Sequence, residues 1–300
     1  MAKISLIITT KNETRTISTL LDSIAKQTRI PAEIILANAG PIHEISIPQQ
    51  LVVRIMELPI EANRATGRNR AIEEARYDHI LITDAGCRLK EDWVEKMEKG
   101  FQSADVVAGF YASDAQTVFE QCVAPYALVM PDRIDTKTFL PATRSMGITK
   151  TVFEQLGRFN EKYRYAEDYE FARRLRKQKI PVCVLPEAIV YWRPRRNLFA
   201  FAHMIFEHAF GDGYSKTFRP KVALIFCRYF LWICLLPFAI ISQPFFFLYL
   251  LSIAFYLTYA VYKNYRYIDH WKALIYLPVL QVISDYAVMW GTLRGSLSAS

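Results

Sequence analysis

This 300-residue chain has none of the cysteine patterns that mark a metal centre or a disulfide framework. Its five cysteines (Cys87, Cys122, Cys183, Cys227, Cys234) are scattered and odd in number, and two of them lie inside apolar runs. That excludes a zinc module and fits a reducing, cytosolic setting for the soluble part. No glycine-rich loop carrying a lysine follows the first apolar run, so the phosphate cradle expected of a nucleotidylyltransferase is missing. There is no internal repeat and no nucleic-acid-binding motif, so the formal charge of +8 implies no RNA or DNA partner. No secretory signal is present: the chain opens Met-Ala-Lys and enters an apolar run at once. Its N-terminus is therefore expected in the cytoplasm and already within the fold.

Charge itself is scarce in one region. From Val222 to Ser300 there are five basic residues (Arg228, Lys263, Arg266, Lys272, Arg294) and two acidic ones (Asp269, Asp285). The 52% hydrophobic content thus averages an ordinary soluble part with a membrane-like part. Residues 222–241 and 245–262 each approach the roughly 20 residues needed to cross hydrocarbon, joined by the uncharged link Ser242-Gln243-Pro244. Arg228 lies near the start of the first span and can snorkel towards the interface. Residues 273–290 read as a third span or a re-entrant helix; a soluble helix bundle is the plain alternative for all three. Arg219 and Lys221, and the basic loop 263–272, belong on the cytoplasmic side by the positive-inside rule, with the hairpin outside. The chain is expected to be a multi-pass protein of the cell (inner) membrane with its soluble domain in the cytoplasm. Anionic lipid head groups suit the basic balance.

What is present before Val222 is an alternation of strand and helix patterns. Strands are expected at 4–10, 33–37, 51–58, 78–83, 105–110, 144–149, 182–185 and 189–192. Helices are expected from an N-cap at Thr14, then over 64–75, 91–100, 167–177 and 197–214. The last has apolar bulk without the length to span and is expected at the membrane interface. This order argues an α/β domain with a mostly parallel sheet and helices on both faces.

The run His79-Ile-Leu-Ile-Thr-Asp84 ends abruptly on a carboxylate. Ligands sit at the carboxyl ends of such strands, and an aspartate there is costly to bury unpaired. It wants a cation, a backbone donor or a sugar hydroxyl; an N-cap for a following helix is the alternative. Thr9–Glu13, Asn38 and Arg68-Asn69 fall at similar places, and Glu167-Asp168 opens a helix, where the backbone dipole favours carboxylates. Taken singly, the acidic pair reads as a solvated helix start and Arg68 as a surface residue.

Together these segments resemble the family 2 glycosyltransferases, whose nucleotide-sugar-binding domain has the GT-A fold. Ile4–Glu13 is similar to the family's opening strand and nucleotide loop, and Glu33–Gly40 to its second strand. Gly67-Arg-Asn-Arg-Ala71 resembles the segment beside the diphosphate, and Asp84-Ala-Gly86 stands where Asp-x-Asp lies. Gly157-Arg-Phe-Asn-Glu161 and Glu167-Asp168 are similar to the Gly-Gly-Phe-Asp-Glu and Glu-Asp elements. Trp192-Arg-Pro-Arg-Arg196 and Gly211-Asp-Gly213 resemble motifs that precede membrane segments in a membrane-bound subset.

The resemblance implies a GT-A domain over 1–196, a juxtamembrane helix over 197–221 and a membrane region over 222–300. It implies that Thr9, Thr10 and Glu13 line the nucleoside pocket, that Asn38 addresses the base and Arg68 the phosphates, and that Asp84 meets ribose or the metal shell. Glu167 and Asp168 would be the catalytic pair, Asp168 as general base, with Arg195 and Arg196 helping to neutralise the leaving group or meeting the membrane. A divalent cation, Mg²⁺ or Mn²⁺, is implied at Asp84, although Gly86 replaces the second aspartate. The implied activity is inverting, hexosyltransferase-like transfer from a nucleotide-diphospho-sugar to a lipid-linked or glycan acceptor in cell-envelope polysaccharide biosynthesis. The substituted Gly86 motivates the alternative of a non-catalytic nucleotide-sugar-binding subunit of an assembly or export complex. A processive synthase is disfavoured, since no Gln-x-x-Arg-Trp element is present and the spans are too few for a channel.

Overall fold

The structure, a computed structural model, describes residues 3–11, 14–41, 45–217 and 219–299, with the side chains of Thr14 and Arg15 excepted. The chain divides into two compact units, Met1–Asp114 with Val129–Arg193, and Ala115–Leu128 with Pro194–Ser300. Residues 115–128 thus pack with the C-terminal helices, although in sequence they lie within the expected sugar-nucleotide domain.

In the first unit, β1 (Ile4–Thr10), β2 (Glu33–Ala39), β3 (Val53–Leu58), β4 (His79–Asp84), β5 (Cys87–Leu89), β6 (Val106–Ser113), β7 (Met146–Thr149) and β8 (Val182–Trp192) form one sheet. The strand order is β3-β2-β1-β4-β7-β6-β8-β5. Strands β1 to β4 are mutually parallel, β7 enters antiparallel between β4 and β6, and β5 closes the far edge antiparallel to β8. Every residue of β2 is buried, which is why this run reads as continuous apolar residues rather than as an alternation.

Four helices and a short fifth pack with the sheet: α1 (Thr14–Ala25), α2 (Arg64–Glu74), α3 (Trp93–Gly100) and, beyond α4 (Val118–Ala127) of the second unit, α5 (Lys150–Gln155) and α6 (Glu167–Lys177). Helix α2 lies close over β1 and β2 because Gly67 has no side chain: a Cβ there would sit 3.2 Å from Thr9 Cγ2 and 3.4 Å from Leu58 Cδ1. The two strands expected at 182–185 and 189–192 are one, β8, with an irregular register opposite Gly109 and Phe110. Its chain continues through Pro186 because the β-bulge there takes up the break in pairing. The expected N-cap at Thr14 rests on a side chain outside the described residues.

The second unit holds α4, α7 (Leu198–Tyr214), α8 (Pro220–Ile241), α9 (Gln243–Tyr265) and α10 (Ala273–Ser298). The last three are long and apolar enough to cross a membrane. Helix α10 is continuous over 26 residues, about 39 Å at 1.5 Å per residue, so it has the length of a full span. Helix α7 packs tightly along α10: a Cβ on Gly291 would lie 2.5 Å from the Phe206 carbonyl, and one on Gly295 closer still to that of Phe210. Small residues permit such backbone approach. Phe201, Met204 and Ile205 are buried on α7, while Phe199 stands 83% exposed.

Arg228 has a partner within the helices. Its Nη2 donates to Asp285 Oδ2 at 2.7 Å, and its guanidinium lies 3.7 Å from the centre of the Tyr256 ring. Tyr256 and Gln281 also donate to Asp285, at 2.5 and 3.1 Å. A carboxylate on α10 among apolar helices needs a cation at its own depth, and Arg228 supplies it.

Candidate functional site

Parallel pairing in register brings the carboxyl ends of β1, β2 and β4 side by side: Thr9 lies opposite Asp84, and Thr10 opposite Asn38. Neighbours of β1 run off in opposite directions at this point, which opens a crevice at the strand ends. Thr10 and Asn38 are largely buried there. The Asn38 side chain donates from Nδ2 to the Gly40 carbonyl at 2.7 Å, fixing the turn that ends β2. Glu13 lies outside the described residues.

Asp84 caps no helix; the turn Ala85-Gly86 leads from it directly into β5. Its Oδ1 accepts from Arg68 Nη2 at 2.9 Å, and its Oδ2 faces Arg144 Nε at 3.9 Å. Burial works to raise its carboxyl, but Arg68, Arg144 and Arg64 outweigh that and hold it below the usual range. Arg68 is 1% exposed, and its Nη1 donates to Glu167 Oε1 at 2.6 Å. Burial opposes the Arg68 charge; the carboxylates of Asp84, Glu167 and Asp168 more than restore it. A chain Asp84–Arg68–Glu167, buried at Arg68 and Glu167, thus joins β4, α2 and α6.

Burial, foremost, and the neighbouring Asp168 push the Glu167 carboxyl up, with Arg68 pulling the other way. Asp168, one residue along α6, is only partly buried, and its Oδ1 accepts from the Tyr169 amide at 2.8 Å. What holds this helix start in place is the 157–161 motif. Asn69 donates to the Phe159 carbonyl at 2.9 Å and accepts from the Phe159 amide at 3.0 Å. Its Nδ2 also reaches Glu161 Oε1 at 2.8 Å. Phe159 packs against Phe171 of α6, with ring centres 4.5 Å apart, and beneath the Arg68 guanidinium at 5.7 Å. Gly157, at φ 79°, makes the left-handed turn that starts the motif.

Sequence reasoning missed Arg144 and Tyr111 here. The Arg144 guanidinium carbon lies 5.5 and 4.7 Å from the centres of the Tyr111 and Trp192 rings. Burial and then Asp168 push the Tyr111 phenol up, while Arg144 opposes them. No local pattern flags Arg144, because its partners sit on β4, β6 and β8. Arg195 and Arg196 fall in the second unit, exposed, where Arg196 Nε lies 3.9 Å from the buried Glu120. The Cys87 thiol beside the site is buried, which with Asp84 pushes it up to about 12; it is no nucleophile at neutral pH.

No group of three or more His, Cys, Asp or Glu residues able to hold a metal ion occurs among the described residues. Asp84 is the one carboxylate at the expected position, with one oxygen already bonded to Arg68. Nothing lies within 4 Å of where a Gly86 side chain would begin. The residues present therefore fit a hydrated ion such as Mg²⁺, which keeps several waters and takes few protein ligands, but not a cage made by the protein.

A family profile described as Glycosyl transferase family 2 matches residues 5–156, half of the chain. The chain is 32% identical over 123 residues to the "Uncharacterized glycosyltransferase YwdF" of Bacillus subtilis (strain 168). That alignment takes in 40% of this chain and 44% of the relative's length. Among solved structures, S. aureus TarS superimposes with a TM-score of 0.50 at 15% identity, over 69% of this chain and 39% of that one. This likeness is one of fold, and it agrees with a GT-A-like sheet. The profile match, set on a sheet whose strand ends gather the expected threonines, asparagine and aspartate, makes this chain a member of glycosyl transferase family 2.

Proposed function

We propose that this chain is an inverting glycosyltransferase that moves a hexosyl group from a nucleotide-diphospho-sugar to a lipid-linked or glycan acceptor. The transfer takes place at the cytoplasmic face of the cell membrane and serves envelope polysaccharide assembly. The observation that carries the reading is the Asp84–Arg68–Glu167 chain, which ties the open strand end to the start of α6, where Asp168 follows Glu167. Asp168 takes the proton of the acceptor hydroxyl as its oxygen bonds to the anomeric carbon. The bond from that carbon to the nucleoside diphosphate breaks on the opposite side. Glu167 is a positioning residue, since it is buried and bonded to Arg68.

Thr9 and Thr10 line the nucleoside pocket. Asn38 addresses the base, its Oδ1 accepting from a base N–H while one of the two Nδ2 hydrogens holds the Gly40 carbonyl. Arg68, already shared by two carboxylates, acts on the nucleotide through Asp84. A divalent ion, when bound by Asp84, supplies neutralisation of the leaving diphosphate. Arg195 and Arg196 meet anionic head groups at the membrane surface, near in sequence to the three apolar helices.

The test uses the full chain in detergent with a panel of UDP-, GDP-, CDP- and dTDP-sugars and a membrane lipid extract. One donor is expected to release its nucleoside diphosphate and to label lipid or glycan. Binding of a donor without any release, under all conditions, would favour the non-catalytic subunit that Gly86 suggests. Failure to bind any member of the panel would contradict both readings.

A further inference from the structure

We infer that Arg144 is a phosphate-binding residue of this site, placed to take a phosphoryl group of the donor's diphosphate or of a phosphorylated lipid acceptor. The inference rests on the reading of the chain as a nucleotide-sugar transferase and adds to it a cation that the resemblance did not name. Three observations support it.

The first is placement. The Arg144 carbonyl accepts from Thr83 Oγ1 at 2.9 Å, which ties its backbone alongside the last turn of β4 and next to Asp84. The second is preorganisation. The side chain is 20% exposed, and its guanidinium carbon lies 5.5 Å from the centre of the Tyr111 ring and 4.7 Å from that of Trp192. Cation–π attraction to the two rings restrains the guanidinium without using any of its N–H donors. The third is unspent capacity. Arginine carries five N–H donors, yet the Arg144 guanidinium makes no hydrogen bond to any of the described residues. Its one charge partner among them, Asp84 Oδ2, stands at 3.9 Å, beyond hydrogen-bond reach.

The contrast with Arg68 is instructive. Arg68 is wholly buried and has both Nη groups bonded to carboxylates. Arg144 is mostly buried and unbonded, an arrangement that costs free energy unless a ligand completes it. Planar, bidentate recognition by a guanidinium suits a phosphoryl group. With a single carboxylate at the strand end in place of two, there is also less negative charge there for an anion to overcome. Charge on the leaving phosphoryl grows as the sugar departs, so a fixed cation acts most strongly in the transition state.

The experiment compares the unsubstituted full chain in detergent with Arg144→Gln and Arg144→Lys, by calorimetric titration with Mg²⁺ and with EDTA. The donor-side probes are UDP, GDP, CDP and dTDP, each against its nucleoside. The acceptor-side probe is geranyl phosphate against geraniol. Arg144→Gln is expected to weaken binding of the preferred nucleoside diphosphate, or of geranyl phosphate, by about tenfold or more. The phosphate-free counterpart should change by less than about twofold, and whichever arm moves names the source of the phosphate. Where Arg144→Gln does not fold, Arg144→Lys carries the test, since it keeps the charge but loses the fork; a loss of about threefold is expected.

Equal affinity of the variant for every phosphate probe would overturn the inference. So would equal losses for phosphate and phosphate-free probes, which would mark Arg144 as packing for Tyr111 and Trp192 only. If the unsubstituted chain binds no nucleoside diphosphate but binds geranyl phosphate, the donor reading fails while Arg144 is still decided by the lipid arm. If it binds neither, the inference falls with the reading.

Discussion

Replacing Arg68 by methionine removes the one cation between two carboxylates while keeping most of the side-chain bulk. The guanidinium is 1% exposed and makes bonds of 2.6 and 2.9 Å to Glu167 and Asp84. Removing one partner of a buried ion pair costs about 3–5 kcal/mol, because the other charge is left uncompensated. Asp84 is 30% exposed on its side chain, so water screens part of its share and most of the cost falls on Glu167. For a domain of this size each kcal/mol shifts the melting point by about 2–4 °C, so a drop of roughly 6–20 °C is expected at pH 7. The assay is thermal unfolding in detergent followed by intrinsic fluorescence, with limited proteolysis to locate the loosened part. Adding Asp84→Asn and Glu167→Gln to Arg68→Met should recover at least about half of the loss, because neutral partners no longer repel or demand solvation. A single Arg68→Met variant that melts within about 2 °C of the unsubstituted chain would refute the reasoning.

Asp84 is held below its unfolded value, so the stability it lends is present above about pH 4 and is lost as pH falls through its folded value. Asp84→Asn should therefore destabilise the chain at pH 7, and the gap should close on acidification; a gap constant from pH 7 to 3 would contradict this. Gly86→Asp meets nothing within 4 Å, so melting should shift by less than about 0.5 kcal/mol equivalent, while Mn²⁺ binding, followed by electron paramagnetic resonance, should tighten. Arg228→Leu strands Asp285 among apolar helices and should sharply lower the yield of folded protein from membranes. Pairing it with Asp285→Leu should restore much of that yield.

Much of the sheet was legible because its strands announce themselves. Ile4–Thr10 and His79–Asp84 are apolar runs of strand length that end on polar residues; the first stands where expected and the second one residue further on than the expected 78–83. The start of α6 at Glu167 was legible too, from the acidic residues that open it. Short elements were not: β5 has three residues and α5 six, too few for either periodicity to show. Helix α4 carries Pro125 inside it, which masks a helical pattern. Arg144 escaped notice for a different reason. Its neighbours Asp84, Tyr111 and Trp192 come from three strands, and only the sheet order places them together. Arg228 and Asp285, 57 residues apart, are the same case among the apolar helices.

The central claim is that Asp168 is the base of a sugar transfer, and Asp168→Asn tests it most directly. The amide keeps the size of the side chain and can still accept from the Tyr169 amide, so the fold and donor binding should hold. With the donor that the unsubstituted chain turns over, kcat is expected to fall by about 10²-fold or more, the usual worth of a general base. Nucleoside diphosphate affinity and melting temperature should be unchanged. Undiminished turnover by Asp168→Asn would contradict the account.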